Sequence, residues 1–259
     1  MASRPGAAGA ALDAERNEHG PRELLRHALE QSGLEPGPEQ PCPYLPGRMA
    51  RNLAFCASHM APGLYHGLMD LNFRRSGSVF YQPVCRHCRQ CRALRVPVDE
   101  FQPNRTQRRC RRRNRDLDVR IGRPQANQDK HRLYRDYLAR RHDREMDDSW
   151  QGFSDFLYES PISTIEVVYR LAGRLVAVGI VDVEPRAMST VYCYFDPELE
   201  DRSPGTFNVL WTIEHCRQQR RRHLYMGYYI RDCAKMNYKA RFKPCETLRS
   251  DGNWGPVDQ

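Results

Sequence analysis

Residues 163–195 read STIEVVYRLAGRLVAVGIVDVEPRAMSTVYCYF, and this stretch decides the fold. Apolar residues alternate with other residues over Ile165–Tyr169, which is the two-residue period of a half-buried strand. Gly173 predicts a turn, and the apolar runs over Leu175–Val183 and Ser189–Phe195 predict two more strands. The stretch therefore predicts an antiparallel meander of three strands.

After this meander, the pattern predicts a helix over Gly205–Gln219 and a strand over His223–Ile230. This order is typical of an acyltransferase core of the N-acetyltransferase (GNAT-like) type, so the expected fold class is α+β, a mixed α/β protein. In such a core the helix N-terminus faces the phosphates of the acyl donor, because unpaired N–H groups and the helix dipole attract anions. Arg202 and Gly205 lie where that anion would bind, although glycine before a helix is more often only a turn residue.

A compact cysteine cluster lies upstream of the meander. Cys85, Cys88 and Cys91 are separated by two-residue gaps, and Cys42 or His87 could supply a fourth ligand. Tetrahedral zinc accepts cysteine and histidine at such spacing. The predicted metal ligands are Cys42, Cys85, Cys88 and Cys91, and the alternative is a set of reduced, structural thiols.

An arginine run follows the cysteines, in a chain whose formal net charge is +9. Only Asp116 and Asp118 lie next to it, so its guanidinium groups cannot all pair with carboxylates. Because arginine pairs bidentately with phosphate, the run predicts a contact with an RNA backbone. The alternative is a solvated helix face or a localisation-like basic run. The predicted RNA-binding residues are Arg105, Arg108, Arg109, Arg111, Arg112 and Arg113.

The composition narrows the class of protein. The chain has 259 residues and ten cysteines but no leading apolar segment, which predicts a cytoplasmic protein with reduced thiols. No apolar run approaches the roughly 20 residues that span a bilayer, and neither a phosphate-binding glycine loop nor a serine elbow occurs. The predicted organisation is a weakly ordered leader (1–40) with a short amphipathic piece (22–31), a subdomain with the cysteine cluster and the arginine run (41–125), a GNAT-like domain (126–250) and a flexible tail (251–259).

Six segments, taken together, resemble the aminoacyl-tRNA–protein transferases, and the bacterial aspartate/glutamate leucyltransferases are the nearer likeness. The segments are CPYLP (42–46), FRRSG (73–77), YQPVCRHCRQC (81–91), FQPNRTQRR (101–109), YCYFDP (192–197) and LYMGYYIRDCAKMNYKARF (224–242). The resemblance implies transfer of leucine from leucyl-tRNA to the α-amino group of proteins that begin with Asp or Glu, which marks them for degradation in the N-end rule pathway. Leucyl-tRNA and these proteins would then be the partners.

The resemblance also implies that no cofactor is required, because the aminoacyl ester is already activated and the enzyme has only to align amine and ester. Eukaryotic relatives look to bind an iron–sulfur cluster through an early and a later pair of cysteines. Here Cys42 matches the first early cysteine, but Leu45 stands where its partner would be, so zinc or an iron–sulfur cluster is only a possibility. Two other functions stay open: the same transfer with arginine as the donor residue, and RNA binding without catalysis by a protein with a cysteine–metal site.

Carried over residue by residue, the resemblance implies a set of site residues. Arg74 and Arg75 could bind the acidic side chain of the acceptor or a tRNA phosphate, and the alternative is a surface salt bridge. In the C-terminal block a lysine could hold the acceptor carboxylate, and a tyrosine could relay a proton or donate to the oxyanion; equally, Tyr225 and Tyr229 could be core aromatics. The candidates in this block are Lys235, Tyr238, Lys239 and Arg241 for substrate binding and Tyr228 and Tyr229 for catalysis.

A carboxylate could position or deprotonate the incoming ammonium. Asp196, at the end of the third strand, is the first choice, and Asp232 is the second. A modest base suffices, because the α-amino pKa is roughly 7.7 to 8.0. The alternative for Asp196 is a turn-forming residue before Pro197.

Overall fold

The computed structural model describes residues 22–141 and 146–257; the predicted leader thus lies outside the described residues over 1–21, and the predicted tail over 258–259. The helices in this part are α1 (22–31), α2 (Leu64–Asp70), α3 (Arg105–Arg113), α4 (Gln128–Arg141), α5 (Trp150–Leu157), α6 (Pro204–Gln218) and α7 (Ala234–Asn237), with 3-10 turns at Pro197–Arg202 and Tyr238–Arg241.

The strands are mostly short before residue 164 and long after it. They are β1 (Gln40–Pro41), β2 (Met49–Ala50), β3 (Asn52–Cys56), β4 (Arg74–Ser76), β5 (Val79–Pro83), β6 (Arg92–Pro97), β7 (Leu117–Gly122), β8 (Thr164–Leu171), β9 (Arg174–Val183), β10 (Ala187–Phe195), β11 (His223–Tyr229), β12 (Glu246–Leu248) and β13 (Trp254–Pro256). The predicted meander is confirmed as β8–β9–β10, and the predicted helix and following strand are confirmed as α6 and β11.

One eight-stranded sheet organises the fold, in the order β13-β12-β6-β11-β10-β9-β8-β7. Its described strand pairs are antiparallel except β10 with β11, which is parallel because α6 carries the chain back between them. A smaller sheet of order β3-β5-β4 lies beside it. The mixed α/β class is confirmed. Among the helices of the described ranges, none has both the length and the apolar character needed to cross a bilayer.

The predicted boundary between 41–125 and 126–250 does not divide the sheet. Strand β6 from the first segment lies between β11 and β12 of the second, and β7 forms the opposite edge next to β8. Side chains of both segments also share one apolar core. In this core Leu94 and Val96 of β6 belong to the same cluster as Val176 of β9 and Leu210 of α6. The cysteine-containing segment is therefore built into the sheet.

The helical residues 22–31 correspond to the predicted amphipathic piece. Leu25 and Leu29 pack against the apolar cluster that contains Phe73 and Tyr225, while the guanidinium group of Arg22 donates to the Gly252 carbonyl. Burial of the two leucines explains why this short helix is held against the sheet rather than left in solution.

Candidate functional site

The parallel strands β10 and β11 separate after a short contact. Their register runs from Ala187–His223 to Ser189–Tyr225, and no further pair is formed beyond it among the described residues. Beyond that point β11 is irregular between Tyr225 and Tyr228, where Gly227 adopts a φ of +79°. A side chain at this φ would be strained, so glycine suits the position. The separation opens a wedge between the two strands.

Arg74 of β4 fills this wedge. Its Nη1 donates to the Ser189 hydroxyl at 2.6 Å, and its Nη2 donates to the Thr190 carbonyl at 2.9 Å. The side chain is buried, yet its two partners are neutral oxygens. A buried guanidinium without a counter-ion is costly, so its position favours the binding of an anion from outside the chain.

Lys239 also lies close to Gly227. Its Nζ donates to the Tyr228 carbonyl at 2.7 Å, and the residue is buried. Burial, and to a smaller extent the positive charge of Arg74, lower the pKa of Lys239 to about 7. The lysine thus changes charge close to neutral pH.

Arg74 and Lys239 form what we call the basic pair. A Cβ atom placed on Gly227 would lie 3.4 Å from both Arg74 Nε and Lys239 Nζ, so both groups reach the space above this glycine. In residues 22–141 and 146–257, no Asp or Glu makes an ion pair with either of them. Two buried cations without a described carboxylate partner can bind a carboxylate or a phosphate oxygen.

Arg75, in contrast, has a partner of its own. Its Nε donates to Asp182 Oδ2 at 2.8 Å, its Nη2 donates to Asp182 Oδ1, and its Nη1 donates to the Gly77 carbonyl. Both side chains of the ion pair are almost fully buried. The alternative for Arg75 was a surface salt bridge, and the residue does form a salt bridge, but in the interior of the protein. The described bonds engage all three nitrogen atoms of its guanidinium group, so Arg75 is not available to bind a substrate.

The tyrosines predicted for catalysis are buried in the sheet. The Tyr228 hydroxyl donates to the Asn72 carbonyl at 2.9 Å and also lies 3.2 Å from the Tyr81 carbonyl. Burial raises the pKa of Tyr228 well above its usual value, so the hydroxyl keeps its proton. Tyr229 is also buried and lines a groove described below. The core-aromatic alternative for Tyr229 agrees with this burial.

Asp196 is occupied by local contacts at the end of β10. One carboxylate oxygen accepts from the Glu198 N–H at 3.0 Å, and the other accepts from Arg174 Nη1. It therefore caps the 3-10 turn that begins at Pro197. This agrees with the alternative prediction that Asp196 is a turn-forming residue. It lines a groove with Arg174 and Asp129 rather than one with the basic pair. The second-choice carboxylate, Asp232, is exposed and accepts from Gln90 Nε2 at 2.7 Å.

The guanidinium group of Arg202, which was predicted to bind an anion at the helix N-terminus, is paired with a carboxylate of the protein. Arg202 donates to both oxygens of Asp116, at 2.9 and 2.7 Å, which occupies the fork of its guanidinium. Asn114 Nδ2 donates to the Arg202 carbonyl. Gly205 lies within the first turn of α6, and a Cβ atom placed on it would lie 3.7 Å from the Phe195 ring. Neither residue reaches the basic pair through a described contact.

The arginine run forms α3, and the helix is polarised. Gln107 and Cys110 are buried against the protein, while Asn104 caps the first turn reciprocally with Gln107. Arg111 donates to the Leu210 carbonyl and lies 3.7 Å from Glu214. The remaining arginines of the run are exposed, namely Arg105, Arg108, Arg109, Arg112 and Arg113.

The C-terminal block joins α3 to the basic pair. Gln107 Nε2 donates to the Arg241 carbonyl at 3.1 Å, two residues from Lys239. Around the buried Lys239, the side chains of Lys235, Tyr238 and Arg241 are exposed. The basic surface of α3 and the buried basic pair are therefore adjacent parts of one region.

The predicted metal ligands are neighbours but are not arranged as a coordination site. Across the described ranges, no group of three or more His, Cys, Asp or Glu side chains is placed to hold a metal ion. The Cys85 thiol points to the Arg51 carbonyl at 3.9 Å. Burial and then the charges of neighbouring thiols raise the pKa of Cys91 to about 12. No chemical step below uses a metal at these residues.

Two residues of the site were not singled out from the sequence. Ser189, which receives the Arg74 hydrogen bond, is an ordinary residue of a strand pattern and gives no signal. Gly227 gives one, because an isolated glycine inside an apolar strand indicates a bulge or a close approach. That signal alone would have directed attention to the middle of β11.

The chain is similar to known proteins of one family. The chain matches a family model described as "Arginine-tRNA-protein transferase, N terminus" over residues 40–109 and another described as "Arginine-tRNA-protein transferase, C terminus" over residues 129–249. It is 42% identical to the aspartate/glutamate leucyltransferase of Marinobacter nauticus over 84% of this chain and 92% of that protein. It is 41% identical to the protein of the same name in Pseudomonas aeruginosa, over 80% of this chain and 89% of that protein. The solved structure of FemX matches with a TM-score of 0.43 and 9% identity, covering 71% of this chain and 65% of that one, which is too weak a similarity to interpret.

Proposed function

The chain belongs to the aspartate/glutamate leucyltransferases, and from this membership and the geometry of the site we propose that it transfers leucine from leucyl-tRNA to the α-amino group of proteins that begin with Asp or Glu. Such a protein works in the cytoplasm, where charged tRNA is available, and marks its acceptors for degradation. Its sheet, with the wedge between β10 and β11, is a GNAT-like acyltransferase core.

One observation carries this proposal: the basic pair of Arg74 and Lys239 is buried next to Gly227 without a described carboxylate partner. The side chain of an N-terminal Asp or Glu would provide that partner. Its carboxylate would accept from the guanidinium and the ammonium, and the exchange of water for two charged donors in a buried site gives strong selection against a neutral side chain.

The reaction needs alignment more than it needs a side-chain nucleophile. The neutral α-amine attacks the carbonyl carbon of the aminoacyl ester, the C–N bond forms, the ester C–O bond breaks, and the proton of the amine leaves with the ribose oxygen. Since an α-amino group has a pKa of roughly 7.7 to 8.0, a useful fraction is neutral at pH 7. N–H groups on the facing edges of β10 and β11 would stabilise the oxyanion.

A transfer assay tests the proposal. Purified protein is mixed with leucyl-tRNA or arginyl-tRNA and with peptides that differ only in their first residue, which is Asp, Glu, Asn or Ala. We expect label to move from leucyl-tRNA to the Asp and Glu peptides only. The Asn peptide is the matched control, because it has the shape of Asp without the charge.

The other outcomes distinguish the remaining functions. Transfer from arginyl-tRNA alone would assign the arginyl reaction, and tight RNA binding without transfer to any peptide would assign a non-catalytic RNA-binding protein. Transfer of leucine to the Asn peptide as fast as to the Asp peptide would contradict the role of the basic pair.

Selectivity for an acidic acceptor should depend on pH through Lys239. Because the pKa of this buried lysine is lowered to about 7, its ammonium form is present below pH 7 and is lost as the pH rises through 7. We expect the ratio of kcat/KM for the Asp peptide to kcat/KM for the Asn peptide to fall between pH 6 and pH 8.5. The ratio removes the titration of the α-amino group, which both peptides share.

In Lys239→Met this pH dependence should disappear and the ratio should be low throughout. The variant should also keep or raise its thermal midpoint, because a lysine whose folded pKa is depressed costs stability while it is charged. A ratio that still falls through pH 7 in Lys239→Met would assign the titration to another group.

The exposed arginines of α3 are proposed to bind tRNA phosphates. Arg109→Gln/Arg112→Gln changes two exposed side chains that make no described ion pair. We expect the slope of log K against log salt concentration for tRNA to decrease by about two units, since each phosphate contact contributes about 0.9. Filter binding between 50 and 300 mM salt measures it.

Arg132→Gln/Arg135→Gln on α4 removes the same charge from another exposed helix face and is the matched control. Its slope should equal that of the unmodified protein. Equal slopes in all three proteins would show that α3 is not part of the RNA-binding surface.

A further inference from the structure

A groove of about 810 Å³ lies next to the candidate site and has no role in the reaction described so far. Four segments line it: the beginning of α1, the cysteine loop before β6, the end of β11, and the turn between β12 and β13. Its volume is at the upper end of the range for ligand sites, which is roughly 300 to 1,000 Å³. It can hold more than one nucleotide-sized group.

The groove is strongly basic. Six arginines line it and only two acidic residues do, Asp70 and Asp232. The arginines are Arg22, Arg26, Arg89, Arg92, Arg231 and Arg249.

The described partners of the two acidic residues are other groups of the protein. Asp70 is buried and accepts from the Tyr225 hydroxyl at 2.5 Å and from Trp254 Nε1 at 2.9 Å, and it lies 3.5 Å from Arg95, which is outside the groove lining. Asp232 accepts from Gln90 Nε2. The carboxylates are thus already engaged by other protein groups.

The arginines with described contacts mostly meet neutral partners. Arg22 donates to the Gly252 carbonyl, and Arg89 donates to the carbonyls of Cys85 and Cys88. Arg26 lies 3.4 Å from Glu23, but both side chains are partly exposed, and such a pair is weak. Arg92 and Arg231 have interactions of their own. With six arginines and two acidic residues, the lining has an excess of formal positive charge.

Two buried polar atoms in the groove are also unsatisfied among the described residues. They are Arg22 Nε, a donor, and Gln90 Oε1, an acceptor. A ligand with both acceptor and donor groups would satisfy them, and a nucleotide has phosphate oxygens as acceptors and ribose hydroxyls as donors. Tyr229 and Leu248 add apolar surface on which a base can lie.

The groove also leads to the basic pair. Tyr229 lines the groove, while the carbonyl of the preceding residue, Tyr228, accepts from Lys239. Asn72 lines the groove as well, and its carbonyl accepts from the Tyr228 hydroxyl. The groove lining and the basic pair are thus linked through Tyr228.

We propose that this groove binds the single-stranded 3′ end of the donor RNA, with its arginines on the phosphates, and that it delivers the terminal ester to the basic pair. The identity of the RNA rests on the proposed function, whereas binding of a single-stranded polyanion does not. The exposed arginines of α3 would then contact another part of the same RNA.

The test uses a fluorescein-labelled single-stranded RNA of eight nucleotides that ends in CCA, without an amino acid, and a duplex RNA of equal length. Arg26→Gln/Arg249→Gln changes one part-exposed and one exposed arginine of the groove. By fluorescence anisotropy we expect this variant to bind the single strand about tenfold more weakly, with a salt slope smaller by about 1.4 units, because each contact to a single strand contributes about 0.7. Unchanged thermal midpoints establish that the variants are folded.

The matched control is again Arg132→Gln/Arg135→Gln, which should bind the single strand as the unmodified protein does. The proposal is overturned if the groove variant binds the single strand with unchanged affinity and slope. It is also overturned if a peptide beginning with Asp displaces the RNA at equal concentration, since the groove would then belong to the acidic acceptor. Because no transfer is measured, a protein that binds the oligonucleotide but fails in the transfer assay would refute the proposed function alone.

Discussion

Replacement of Arg74 by methionine is expected to lower kcat/KM for a peptide that begins with Asp by a factor of about 10² to 10³. The guanidinium is buried in the wedge and is held by Ser189 and Thr190, so it needs no rearrangement to meet a carboxylate. Loss of one partner from a buried, hydrogen-bonded charge pair costs about 2 to 5 kcal/mol. Steady-state transfer with saturating leucyl-tRNA measures the effect.

The Asn peptide makes the result specific. Its kcat/KM is low with the unmodified protein, and Arg74→Met should change it by less than about threefold, because no charge pair is lost. The thermal midpoint should also be measured, since Arg74 bonds two residues of β10. A fall of equal size for the Asp and Asn peptides would show that Arg74 supports the structure and does not read the acceptor.

The neighbouring residue should behave in the opposite way. We expect Arg75→Met to lower the free energy of unfolding by about 3 to 5 kcal/mol, because it leaves the Asp182 carboxylate buried without its partner. The Asp/Asn selectivity of the protein that remains folded should be unchanged. Urea denaturation followed by circular dichroism measures the loss.

Two further variants support this interpretation. Arg75→Met/Asp182→Leu removes both charges and should recover much of the lost stability. Arg120→Met breaks the exposed contact with Asp118 and should change stability by no more than about 0.5 kcal/mol. An effect of Arg75→Met as small as that of Arg120→Met would mean that the buried pair is not important for stability.

Much of the fold could be predicted from the sequence where periodicity is local. The meander, α6 and β11 follow from alternation and from the 3.6-residue period, and their bounds differ from the predicted ones by only a few residues. The parallel contact of β10 with β11 and the central place of β6 could not be read in this way. Both depend on which strands pair with each other, in the case of β6 across more than one hundred residues, and a period carries no information about that.

The same limit applies to the site. Motif resemblance predicted Arg74, Arg75 and Lys239 as equals, and the adjacency of the arginines predicted only that they point in different directions. The structure separates them, because Asp182 meets Arg75 and no described carboxylate meets Arg74. Asp196 shows the opposite case, since a residue before proline at a strand end has a local explanation, and its contacts with Arg174 and Glu198 agree with that explanation.

The position of β6 has a consequence for how the protein is made. This strand leaves the ribosome well before β11 and β12, the two strands that flank it, which are more than 120 residues further along the chain. The nascent chain therefore carries an apolar strand with both edges unpaired until synthesis is nearly complete, which is a state prone to aggregation. We expect overproduction at low temperature or with chaperones to increase the yield, and the two halves of the chain to fail as exchangeable modules.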